Sequence, residues 1–303
     1  MASSRKNSKE TRARSRRSAK RSQKTSSKTA GTAKDELSNG KTRVSALDTL
    51  RGLAILLMIV DHAAWLYWDQ SISPSSIRFV TRLSMPLFCV LLGYLAGLKI
   101  QRSLTKDSQS TNYFQLIQAT TNWARVLQIL AAVVAINLLY FNLFHQFEIL
   151  ASILIVVLAM ALARSGFCIA MLAPLLFPLE ATWLVHKPVD TETLLFDFPV
   201  TVVACCTAGG FMLGRFGLRP AMLSTLAVGS LAGIDNLMHA TPFLYAPPTV
   251  YVLYFLPLAT VMVWWAGKTK EFDIPVMSWI GRYPITVYLL QYYLLLLFSE
   301  KIQ

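Results

Sequence analysis

Charge is scarce in this chain and unevenly placed. Asp, Glu, Lys and Arg together make up 15% of the residues against 54% hydrophobic, and mean hydropathy is +0.46. That balance excludes an ordinary soluble globular protein. Acidic residues are the rarer sign, 16 against 29 Lys and Arg, for a formal charge of +13. Such an excess would suggest nucleic-acid binding if it covered a folded surface. It does not: residues 1–43 hold 14 Lys/Arg and 3 Asp/Glu, which leaves 15 and 13 for the other 260. Cysteine is also sparse. Cys89, Cys168, Cys205 and Cys206 fall inside apolar runs and read as small buried hydrophobes. They make neither a disulfide framework nor a metal-ligand spacing, so no metal site is expected. A glycine-rich phosphate loop and a serine-hydrolase elbow are both missing.

The basic segment 1–43 contains no aromatic residue. It cannot bury enough apolar surface to offset the entropy of ordering, so it reads as a disordered tail preceding a membrane domain over 44–303. Without interleaved aromatics it offers no stacking platform for a nucleic acid, and no nucleic-acid partner is expected. A topology signal and a contact to anionic lipid headgroups fit it better. Its charged region is too long, and lacks the small-residue cleavage site, for a secretory signal.

What the chain has in abundance is apolar runs. Nine are legible, at about 46–68, 77–98, 118–140, 146–163, 166–185, 197–214, 220–238, 248–266 and 277–298. They predict an all-α polytopic membrane protein with about nine, at most ten, transmembrane helices. With the tail in the cytoplasm, inner loops carry Lys99, Arg102, Lys106, Arg164, Arg215, Arg219, Lys268 and Lys270, while outer loops carry Arg78, Lys187 and Lys301. The bias is that of inward-facing positive loops. It predicts a multi-pass protein of the cell membrane with a cytoplasmic N-terminus.

The first run is the least like a plain anchor. It carries Arg51 near one end and Asp61–His62 well inside, and ionisable groups at that depth are costly unless they serve a function. From Arg51 to His62 is 11 residues. At about 100° and 1.5 Å per residue, they share one helix face about 16 Å apart. Asp61 points about 100° away from His62, so it faces another helix or outer water rather than the imidazole. Asp48, three residues before Arg51, can pair with it on one turn.

ALDTLRGLAILLMIVDH resembles the opening motif of the transmembrane acyltransferases, most of all the branch containing heparan-α-glucosaminide N-acetyltransferase. FVTRLSMPLFCVLLGYLAG (79–97), HQFEILASILIV (145–156) and SWIGRYPITVYLLQYY (278–293) resemble that superfamily's later helices in the same order. The chain departs from the pattern at Gln291, often histidine in the family, and at Ala151–Ser152, where a histidine often follows the third motif. The resemblance implies an acyltransferase that takes an acyl group, acetyl by analogy, from cytoplasmic acyl-CoA. The acceptor it implies is a sugar or polysaccharide on the far side of the membrane, as in cell-envelope modification. Acyl-CoA is then donor substrate, with no permanently bound cofactor.

On that reading His62 is general base or acyl carrier, with Asp61 grouped beside it as catalytic. Arg51, Arg125 and Arg282 are donor-binding candidates, because an arginine pairs well with phosphate. Arg82, Asp235 and Gln291 are candidates on the acceptor side. Two other readings stay open. The same helices without chemistry would make a transporter or flippase, and MIVDH also resembles the pattern of pilin-type acetylases of a protein N-terminus.

Overall fold

The computed structural model describes residues 44–67, 77–106, 122–144, 147–162, 198, 200–238, 251–269 and 272–297. The basic tail 1–43 and the expected span 166–185 lie outside them. Most of the described residues are helical, and no strand element occurs among them.

The helices are α1 (Ser45–Tyr67), a short α2 (Ile77–Thr81), α3 (Ser84–Lys106), α4 (Trp123–Phe144), α5 (Ile149–Leu162), α6 (Val200–Phe216) and α7 (Leu218–Met238). A π-helical segment, Tyr251–Phe255, runs into α8 (Leu256–Lys268), followed by α9 (Pro275–Arg282) and α10 (Pro284–Leu297). The helices fall on the apolar runs read from the sequence, but two runs are broken. The second is interrupted at Arg82–Leu83 and the last at Tyr283. At the latter, Pro284 removes a backbone donor and opens a new helix at its first position, where proline is tolerated.

Two helical stretches among the described residues are long and apolar enough to cross a membrane, Ile77–Arg102, which runs through α2, the turn and most of α3, and Trp123–Asn142; Ile149–Met160, Val200–Phe216 and Val252–Lys268 are shorter apolar stretches. α4 is the most telling of them. Leu127, Leu130, Val134, Leu138 and Phe141 stand exposed on it, spaced by three and four residues, so they form one continuous apolar stripe.

α3 is the central helix, packed by α1, α6 and α8. Its Leu87, Val90 and Leu91 are buried with Val202, Val203, Cys206 and Phe211 of α6, and with Ala259 and Val263 of α8. The α3–α6 contact has a clear cause. Gly93 and Gly97 sit four apart on α3, and Gly210 and Gly214 sit four apart on α6. The first pair faces the carbonyls of Thr207 and Phe211, the second those of Val90 and Tyr94, too close for a methyl group. Paired small-xxx-small faces of this kind let two helices touch backbone to backbone.

Two buried hydroxyls are satisfied within their own helices. Thr207 Oγ1 donates to Val203 O at 2.8 Å, and Thr260 Oγ1 to Leu256 O at 2.8 Å. This bonding to the preceding turn lets small polar residues lie in an apolar interior.

Glycine also joins α1 to α9. Gly52 lies against the Met277 backbone, and Gly281 against the backbone of Asp48 and Gly52. Through that crossing Arg51 Nη1 donates to Gly281 O at 3.0 Å and to Asp48 Oδ1 at 2.7 Å. The intrahelical pair anticipated for Asp48 and Arg51 is therefore present, with a second helix fastened to it.

Candidate active site

A cavity of about 250 Å³ lies beside the C-terminal half of α1. Met58, His62 and Leu66 line it from α1 at steps of four residues, and Asp61 joins them three residues after Met58. Arg78 of α2, Arg82 of the turn and Ser84 of α3 close a second side. Tyr140 of α4, Glu148 before α5, and Tyr292 of α10 close the others.

Asp61 is turned toward α2. Its Oδ1 accepts a hydrogen bond from Thr81 Oγ1 at 2.8 Å and lies 3.6 Å from Arg78 Nε and 3.8 Å from Arg82 Nε. The break at Arg82–Leu83 matters here, because it gathers Arg78, Thr81 and Arg82 around a single carboxylate. Asp61 and Arg78 are buried, at 8% and 5% exposure. A carboxylate so removed from water is stable only with charged or donor partners.

His62 is bound from the opposite side. Its Nδ1 lies 3.2 Å from Gln291 Nε2 on α10. The imidazole also meets Tyr292 edge-on at 5.6 Å between ring centroids, and Tyr288 at 6.3 Å. With Nδ1 engaged, Nε2 is the ring nitrogen left for a molecule in the cavity.

Below this pair a third polar group is fully enclosed. Glu148 is 1% exposed. It accepts hydrogen bonds from the Tyr288 hydroxyl through Oε1 and from Leu150 N, at 2.9 Å, through Oε2, capping the start of α5. Its own N–H donates to Asn137 Oδ1 at 2.9 Å. Tyr288 thus stands between the carboxylate and the imidazole.

The structure brings four of the sequence candidates together, His62, Asp61, Arg82 and Gln291, although Asp61 serves the arginines and Gln291 serves His62. Arg51 lies away from the cavity in its bonds to Asp48 and Gly281. Arg125 and Arg282 are exposed, at the start of α4 and the end of α9, and neither lines the cavity. The side chain of Asp235 lies outside the described residues. Among the described residues no cluster of His, Cys, Asp and Glu could hold a metal ion. Tyr288 and Tyr292 are not among the candidates that the sequence motifs single out. Their spacing with Gln291, at 288, 291 and 292, marks one polar and aromatic face on an otherwise apolar helix, a signal that could have been read.

The family described as heparan-alpha-glucosaminide N-acetyltransferase, catalytic, matches residues 43–212. Neither the curated proteins nor the solved structures contain a match to this chain.

Proposed function

The chain belongs to the heparan-alpha-glucosaminide N-acetyltransferase catalytic family, and from that premise we propose that it is a multi-pass membrane acetyltransferase. It moves an acetyl group from cytoplasmic acetyl-CoA to an amino or hydroxyl group of a sugar or polysaccharide on the other side. The observation that carries this reading is the placement of His62 in a cavity with one ring nitrogen held and the other free. Membrane residence is supported by the exposed apolar stripe of α4, which would be costly in water and costs nothing against lipid tails. The remaining apolar runs supply further crossings, and the inward bias of Lys and Arg supports a cytoplasmic tail that meets anionic lipids.

The proposed chemistry follows from the groups present. The acceptor N–H or O–H lies against His62 Nε2, which takes the proton as the acceptor atom attacks the thioester carbonyl. The carbon–sulfur bond breaks, and the imidazolium returns its proton to the departing CoA thiolate. Arg78 and Arg82, held by Asp61, fix the wall of the cavity and favour an anionic or strongly hydrogen-bonding acceptor near Arg82. Arg51 stands at the other end of α1, where the tail emerges. It is suited to the nucleotide phosphates of the donor, with Arg125 and Arg282 as further contacts at that side.

The experiment is direct. Full-length protein in lipid nanodiscs is given acetyl-CoA and a glucosamine oligosaccharide, and free thiol and acetylated sugar are measured. Equal release of both supports the proposal. Sugar binding without thiol release would favour a transporter.

A further inference from the structure

Gln291 is 6% exposed, and its Oε1 is buried with no hydrogen-bond partner among the described residues. Its Nε2 lies 3.2 Å from His62 Nδ1, bridging two positions 229 residues apart. The rings of Tyr288 and Tyr292 sit against the same imidazole, so α10 grips it with three side chains on one face. Which nitrogen of a histidine carries the proton is set by the bond that the other nitrogen makes. A side-chain amide has two ends of nearly identical shape, one a donor and one an acceptor.

We propose that Gln291 is the positioning residue of the reaction. In the working state its amide is turned so that Oε1 accepts a hydrogen bond from the protonated Nδ1 of His62. This inference rests on the acetyl-transfer reading above. It gives the buried Oε1 of Gln291 the donor it lacks and leaves Nε2 of His62 as the unprotonated base. The same bond then persists through turnover. When Nε2 takes the acceptor's proton, the imidazolium keeps its Nδ1–H on Oε1; when Nε2 releases that proton to the CoA thiolate, the neutral ring returns unchanged. Gln291 itself gains and loses no proton. An amide performs this holding without adding a charge to a cavity that already contains Asp61, Arg78 and Arg82.

The test combines a spectroscopic and a kinetic readout on full-length protein in nanodiscs. Nitrogen NMR of ¹⁵N-histidine-labelled protein, with the His62 signals assigned by their loss in His62→Ala, is expected to show a protonated Nδ1 and an unprotonated Nε2. Gln291→Met, similar in length but without hydrogen-bonding groups, should shift the ring toward a mixture of tautomers. It should lower kcat at least about tenfold, because a base in the wrong tautomer or misaimed loses far more than that in other enzymes, and leave KM for acetyl-CoA within about twofold. Gln291→Glu, which keeps the acceptor, should restore the wild-type tautomer and most of the turnover. The double variant His62→Ala/Gln291→Met should be no slower than His62→Ala, since two residues acting as a unit are not additive.

A wild-type His62 protonated on Nε2 would overturn the proposal. So would a Gln291→Met enzyme of unchanged kcat, or a double variant slower by the product of the two single effects. If Gln291→Met fails to fold, the wild-type spectrum and Gln291→Glu decide. If the wild-type protein transfers no acetyl group, the functional reading fails by that assay, while the spectrum still decides the role of Gln291.

Discussion

Asp61 Oδ1 accepts a hydrogen bond from Thr81 Oγ1 at 2.8 Å and lies within 4 Å of two arginines, Arg78 and Arg82. The carboxylate adjacent to His62 in sequence is thus the fastening of α2 to α1. Removing it leaves two guanidinium groups crowded at the cavity wall. Asp61→Ala should therefore destabilise the protein by about 3 kcal/mol, in the range for breaking one partner out of a buried ion pair. Thermal unfolding in detergent measures this, and Asp61→Asn, which keeps an acceptor for Thr81, should lose less. If Asp61→Ala unfolds at the wild-type temperature, the fastening role is wrong.

The α3–α6 contact predicts a sharp contrast among glycines. Gly210→Val places a branched side chain against the Val90 carbonyl, where not even a methyl group fits, and overpacking of this kind costs about 1–3 kcal/mol or more. Gly217, in the left-handed region at φ 88°, has nothing within 4 Å of an added Cβ. Gly217→Ala should cost only about 1–2 kcal/mol of backbone strain. Size-exclusion of fluorescent fusions should show a folded peak for Gly217→Ala and its loss or aggregation for Gly210→Val.

Arg51 has two duties to separate. It holds α9 through Gly281 O and pairs with Asp48, and the proposal gives it the donor phosphates as well. Arg51→Lys keeps a charge for Asp48 but loses the planar fork that suits phosphate. It should leave the unfolding temperature nearly unchanged and raise KM for acetyl-CoA, with little change in kcat. Arg51→Ala should lower both stability and donor affinity. Unaltered KM in Arg51→Lys would confine this residue to the α1–α9 crossing.

Orientation can be tested on either side of α2 and α3. With the tail in the cytoplasm, a cysteine introduced at Ser75 should react with an impermeant thiol reagent applied from outside, and one at Ser103 should not. The opposite pattern would place His62 toward the cytoplasm and remove the case for donor and acceptor entering from opposite sides.

Much of this architecture is legible in the sequence because it depends on local periodicity. The apolar runs locate the helices, and the 11-residue spacing locates Arg51 and His62 on one face of α1. Even the two small-residue pairs, Gly93–Gly97 and Gly210–Gly214, are visible as spacings, although nothing local says that they meet. The breaks at Arg82–Leu83 and Tyr283 leave local marks, Arg82 and Ser84 at the first and Pro284 at the second, but hydropathy averaged over a whole run passes over them. Partnerships are less legible still. The Gln291–His62 contact joins the last described helix to the first, and the Tyr288–Glu148 bond spans 140 residues; both depend on how helices cross. Asp61 stands next to His62 in sequence, and one step along a helix turns a side chain by about 100° toward a different neighbour; that the neighbour is Thr81 with two arginines is set by the packing of α2.

The central claim is that His62 carries the proton of an acetyl transfer, and one comparison tests it most directly. Wild-type and His62→Ala proteins are reconstituted at equal amounts in nanodiscs, shown to be equally folded by unfolding temperature, and supplied with saturating acetyl-CoA and a glucosamine oligosaccharide. A positioned general base contributes roughly 10²–10⁴-fold in rate, so acetylated sugar should form in the wild type and fall by that factor in His62→Ala, with KM for acetyl-CoA little changed. A His62→Ala protein that acetylates the sugar at the wild-type rate would contradict the account.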